Sequence, residues 1–172
     1  MPLQGPSIRT SNGQVLTLPE RYLERALDHL VHKRYDEALL DMEAALRLEP
    51  RNGEFLATRG YILLQAERLL EAEAAFATAL KTDPRQWVAH YGRALMAIQR
   101  QQWPEALGHL SVAQRLDPQR PEVLTLLAAV YYSQGNHEAA QAHVQRALEA
   151  LPDDDKRRRE IKRWERTIKR RE

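Results

Sequence analysis

The sequence predicts an all-α solenoid of stacked helix pairs, and three observations predict it. Four prolines, Pro50, Pro84, Pro118 and Pro152, stand 34 residues apart without a break. Alanines keep the same interval at Ala38, Ala72, Ala106 and Ala140, and again at Ala45, Ala79, Ala113 and Ala147. Between these marks, apolar residues recur at spacings of three and four, the period of one helix face. A unit of this length repeated in register is one supersecondary element stacked on copies of itself.

The repeats run 19–52, 53–86, 87–120 and 121–154, within a repeat domain spanning 18–154. Each predicts a first helix, a tight turn and a second helix. The opening helix, about 18–32, starts where Thr17 and Glu20 form a capping box with Pro19 in the first turn. The other first helices fall near 53–66, 86–100 and 120–134. They carry small residues at one crossing point: Ala26, Gly60, Ala94 and Ala128. Leu63 and Tyr131 lie three further on, where a bulky side chain covers the neighbouring helix. The second helices fall near 36–49, 70–82, 104–116 and 138–150. Each opens on an alanine, follows with Met42, Phe76, Leu110 or Val144, and returns to alanine. The alanines let backbones approach and the larger side chains fill the gap. Leucine at Ala72 or Ala106 is therefore expected to overpack the stack by ~1–3 kcal/mol. The terminal proline ends the second helix. Only repeat four has glycine between its helices, Gly135, so the other three turns form with less help from backbone preference.

After the last proline, DDDKRRREIKRWERTIKRRE predicts a final helix over about 154–169, within a basic amphipathic segment 155–172. Asp153, Asp154 and Asp155 suit its N-terminus, and Lys169, Arg170 and Arg171 its C-terminal end. Ile161, Trp164 and Ile168 form one apolar stripe. Such a helix caps a solenoid whose last repeat would otherwise face water. Residues 1–17 are expected to be a flexible arm, in which Leu3, Ile8, Val15 and Leu16 could lie across an apolar surface.

Composition narrows the function. The chain is 43% hydrophobic and 29% charged, an ordinary soluble balance. It has no cysteine, which excludes disulfides, thiol chemistry and cysteine-based metal sites and fits a reducing compartment. The first residues have no cationic start, apolar run and small-residue cleavage site, so no secretory leader is expected. From Asp153 to Glu172 the charge balance is +4, and the other residues sum to −2. A slightly acidic body is not the surface of a typical nucleic-acid binder. No glycine-rich phosphate loop, nucleophile elbow or paired-histidine metal motif occurs. Of the six histidines, His29 and His32 are three apart and can share a face, but no carboxylate-plus-histidine pattern of a hydrolytic site surrounds them, and no catalytic residue, cofactor or metal is expected.

The four helix pairs, with small residues at two crossings and a closing proline, resemble the tetratricopeptide repeat family over residues 19–154. Departures stand at Tyr22, Leu56, His90 and Leu124, where that family often has tryptophan. It usually has leucine where Arg25, Arg59 and Arg93 stand, and only Leu127 keeps that choice. The resemblance implies a right-handed superhelix whose first helices line a concave groove. By that resemblance the groove positions are Glu20, Leu23, Leu27, Leu30 and Val31 in repeat one, and Glu54, Ala57, Tyr61, Leu64 and Gln65 in repeat two. Repeat three supplies Val88, Tyr91, Leu95, Ile98 and Gln99, and repeat four Glu122, Thr125, Ala129, Tyr132 and Ser133. Such a groove is apolar, with tyrosines and almost no positive charge. Some members of the family grip a chaperone's terminal carboxylate with cations. Here Leu23 and Leu27 stand at two of those positions, so that ligand is not expected.

The expected function is a non-enzymatic, cytoplasmic scaffold or adaptor. It would hold an apolar peptide or amphipathic helix of a partner protein in the groove. The alternatives are a self-assembling structural module and a regulatory or recruitment domain of a larger enzyme. The same apolar groove residues could instead be covered within the chain. Nucleic acid is not an expected partner. Contact with an anionic surface through Arg157, Arg158, Lys162 and Arg166 is a lesser alternative, diluted by Glu160, Glu165 and Glu172.

Overall fold

The computed structural model describes residues 17–169. Leu3, Ile8, Val15, Leu16, Arg170, Arg171 and Glu172, named above, lie outside the described residues. Among the described residues there are nine helices and no strand: α1 (Leu18–Val31), α2 (Tyr35–Leu48), α3 (Gly53–Gln65), α4 (Leu69–Thr82), α5 (Trp87–Gln99), α6 (Trp103–Leu116), α7 (Pro121–Ser133), α8 (His137–Ala150) and α9 (Arg157–Lys169). The eight repeat helices begin and end within one residue of expectation. The last begins three residues late. Asp155 is spent on a turn there, with its carboxylate accepting from the Arg157 amide at 2.8 Å.

Side-chain caps start the helices where the sequence supplies them. The Glu20 carboxylate accepts from the Thr17 amide at 2.6 Å, completing the capping box. Asn52 and Asn136 accept from the amides of Phe55 and Ala139 at 3.1 and 3.0 Å. The turns inside the repeats obey the 34-residue interval in atomic detail. Amides of Arg34, Arg68, Gln102 and Asn136 donate back five residues, to His29, Leu63, Ala97 and Tyr131, at 2.8–2.9 Å. The preceding residue is left-handed each time: Lys33, Glu67, Gln101 and Gly135 have φ of 57, 60, 56 and 77°. This is the Schellman closure, which glycine adopts most readily. Three repeats make it without glycine.

The chain divides into two compact units, Met1–Gly92 and Arg93–Glu172, and the division falls inside α5. In the first, α1 packs on α2, α3 on α4, and α2 on α3. Ala38, Ala45, Ala72 and Ala79 are fully buried, and Met42 and Phe76 fill the space the alanines leave. In the second, α6 packs on α7, α7 on α8 and α8 on α9. Its core gathers Leu124, Ala128, Val144 and Leu148 with Ile161 and Ile168 of α9, and Trp164 packs against this cluster. The α9 stripe thus covers apolar surface of α7 and α8 that water would otherwise reach.

Candidate partner-binding surface

In the first unit, the predicted positions sort by what each side chain already does. Glu20 is held in the α1 capping box. Leu23 and Leu30 are half-buried, while Leu27 and Val31 are exposed, Val31 at 78%. On α3, Leu64 is only 6% exposed and Ala57 fully buried, so both serve the interior of their hairpin. The predicted α3 positions that remain accessible are Glu54 and Gln65, both exposed, and half-buried Tyr61. Tyr61 and Tyr91, from consecutive first helices, bring their ring centroids within 6.4 Å. Trp87 stands 6.1 Å from Tyr91, which makes three aromatic rings in one row.

In the second unit, Leu95 and Ile98 are half-buried and Gln99 is exposed. Repeat four is already partly engaged by its own chain. Glu122 pairs with Arg157 of α9 at 2.5 Å. Tyr132 sits between His137, at 5.2 Å, and Trp164, at 6.3 Å edge-on. The Thr125 hydroxyl donates to the Pro121 carbonyl. Covering within the chain is therefore real at this end, and α9 is what covers it.

One cluster could not be read from the repeat pattern alone. Asp41 is 4% exposed, in a register held elsewhere by Ala75, His109 and His143. Arg25 grips it with two nitrogens, Nε donating at 2.7 Å, and its guanidinium lies 5.5 Å over the Tyr22 ring. The Asp41 hydrogen bonds raise the pKa of Arg25 still further above its ordinary value. His29 Nε2 approaches the same carboxylate at 3.6 Å. The paired departure, arginine where the family prefers leucine and aspartate where other repeats have alanine or histidine, was the available signal. Arg93 similarly reaches Glu105, at 3.7 Å.

Among the described residues, no three His, Cys, Asp or Glu side chains gather to hold a metal. No described helix is long and apolar enough to cross a membrane.

The tetratricopeptide repeat profile matches residues 23–86 and again 58–121, and a second profile of the same description matches 97–163. No curated protein matches the sequence. Solved structures are similar in fold. A tetratricopeptide repeat protein from Parabacteroides merdae superposes with a TM-score of 0.62 at 20% identity, over 89% of this chain and 60% of its own. PilF of Pseudomonas aeruginosa gives 0.67 at 19% identity, over 77% of this chain and 60% of its own. The MamA RS-1 ArsTM double mutant gives 0.59 at 21% identity, over 79% and 76%. The chain thus spans only 60% of the first two proteins.

Proposed function

We propose that this chain, which belongs to the tetratricopeptide repeat family, is a protein-interaction scaffold that holds an apolar segment of a partner on its first-helix faces. The observation that carries this reading is the aromatic row of Trp87, Tyr91 and Tyr61, with exposed Leu27 of α1 at the repeat position of Tyr61 and exposed Val31 four residues further along α1. Tyrosine and tryptophan give large contact area for few frozen rotors, and their polar atoms meet the hydrogen-bonding groups of a peptide. Gln65 and Glu54 add polar contacts at the rim. The scaffold is non-enzymatic, acts in the cytoplasm, and takes an amphipathic helix or extended peptide as its ligand.

The test is a pull-down from the source cell with the wild type and a Tyr61→Ala/Tyr91→Ala/Leu95→Ala variant. The variant should keep its helical circular dichroism and lose the retained partner. Equal retention by a folded variant refutes the reading.

A second reading, self-association, is favoured by Leu40 and Leu70, which are 64% and 84% exposed on second helices. Light scattering during size exclusion decides it: a mass that stays monomeric as concentration rises removes it.

A further inference from the structure

The outward face of α9 carries a second kind of chemistry. Ile161 and Ile168 are buried against α7 and α8. At 3.6 residues per turn, Arg159, Lys162, Arg163 and Arg166 fall within about 100° on the opposite side, and Lys156 lies in the turn just before α9. All five are exposed. The other cations of this segment are spent. Arg157 binds Glu122 and Asp155, Arg158 binds Asp153 and the carbonyls of Leu148 and Leu151, and Lys169 binds Glu165. Among the described residues, the five outward cations make no ion pair. Glu165 is neutralised by Lys169, and Glu160 lies at the margin of the strip, so the acids do not interrupt it.

The register of this strip matters as much as its charge. Lys156, Arg159, Arg163 and Arg166 stand 34 residues after Glu122, Thr125, Ala129 and Tyr132, the predicted surface positions of α7. Two contacts tie α9 to that register. Arg157 bonds to Glu122, which lies 35 residues before it, and Trp164 sets its ring on Tyr132. The α9 helix therefore stands where the first helix of a fifth repeat would, and its cations prolong the face begun by α7.

We infer that this strip, with the α7 face it prolongs, docks an acidic peptide of a partner, whose carboxylates lie along α9. The inference rests on the reading of the first-helix faces as the ligand surface. From Arg159 to Arg166 the strip runs about 10 Å along α9, room for several carboxylates of a peptide. Its three arginines suit planar carboxylate groups. The remainder of the chain, net −2 before Asp153, disfavours a long polyanion extending past the strip. The apolar stripe of α9 is already buried, so the helix has no face to insert into a bilayer. Exposed pairs are individually weak. The acidic residues of the peptide thus set its register and encounter rate.

The test uses the full chain and two short fluorescein-labelled peptides. Each has an apolar half of leucine, alanine and phenylalanine, followed by a run of glutamates in one and of glutamines in the other. Fluorescence anisotropy should show the glutamate peptide binding about tenfold tighter at low salt, with the preference fading as salt rises. An Arg159→Gln/Arg163→Gln/Arg166→Gln variant with an unchanged melting temperature should bind both peptides alike, and the Arg→Lys counterpart should keep most of the preference. Equal binding of both peptides by the wild type overturns the strip inference and leaves the groove reading standing. A preference that survives in the glutamine variant does the same. Binding of neither peptide sinks both. Phosphatidylserine vesicles or a DNA duplex binding tighter than the glutamate peptide, through these arginines, overturns the peptide assignment.

Discussion

Gly92→Ala is the most informative single change in the first unit. The ring of Phe76 is fully buried on α4. A Cβ added at Gly92 would lie 2.1 Å from its Cζ, and 2.6 and 2.7 Å from Cε2 and Cε1. Carbon atoms pack at about 3.5–4.0 Å, so the ring must retreat by about 1.4 Å. It already rests against α3, where a Cβ at Gly60 would lie 2.7 Å from Cδ1 and Cε1. Overpacking costs ~1–3 kcal/mol, and a shift of this size belongs at the top of that range. Alanine returns about 1 kcal/mol of helix propensity. The expected net loss is about 2 kcal/mol. Gly60→Ala should cost less, because its clash is milder. Phe76→Leu removes the ring atoms at issue, so Gly92→Ala in that background should be neutral or stabilising. The coupling energy is then about 2–3 kcal/mol. Urea denaturation followed by far-ultraviolet circular dichroism measures all four species of the cycle. If Gly92→Ala costs the same with leucine at 76 as with phenylalanine, the steric account is wrong.

Three further expectations follow from the same geometry. Glycine at Lys33, Glu67 or Gln101 should stabilise by up to about 1 kcal/mol, and Gly135→Ala should lose about as much. A Cβ at Gly135 meets nothing within 4 Å, so that loss is purely backbone; melting temperatures that moved the opposite way would refute it. Arg25→Ala leaves the Asp41 carboxylate buried and underbonded at a cost of ~1–3 kcal/mol, whereas Arg25→Leu/Asp41→Ala should recover most of it; strictly additive denaturation midpoints would argue against the pairing. The hydrogen bonds from Arg157 hold the Asp155 carboxyl at about 2, below its ordinary value of 3.8. A depressed carboxyl stabilises the fold above its unfolded value and loses that contribution as pH falls from about 4 through about 2. Trp164 fluorescence in a Trp87→Phe/Trp103→Phe background should report α9 loosening in that window, and Asp155→Asn should flatten the change.

The helices were legible because the 34-residue interval carries both stops and crossings. Proline and alanine act through short-range sterics, which sequence spacing reports directly. The late start of α9 was not legible: three consecutive aspartates offer three starts, and choosing Asp155 depends on where Arg157 meets Glu122. The surface was only partly legible. Register named Tyr61 and Tyr91, but it could not say that Leu64 turns inward or that Trp164 occupies the space beside Tyr132. Those outcomes depend on the neighbour's volume, which no single repeat encodes. The Arg25–Asp41 pair shows the same limit, since each residue reads as an isolated departure until folding joins them across 16 positions.

Volume in this stack is conserved between helices rather than at each position. Phe76 is the largest side chain in the series with Met42, Leu110 and Val144. It faces glycine at Gly60, where the other repeats have Ala26, Ala94 and Ala128. A bulky insertion on one helix is thus balanced by a deletion on the next, and the interval survives. Outward positions feel no such constraint, so their chemistry is free to change between repeats without loss of fold. This is how one register can carry leucine and valine on α1, tyrosine on α3 and α5, and arginine on α9. On the proposed function, the outward residues would select the ligand. Substitutions there should alter affinity with little change in stability, while substitutions at the crossings should do the reverse.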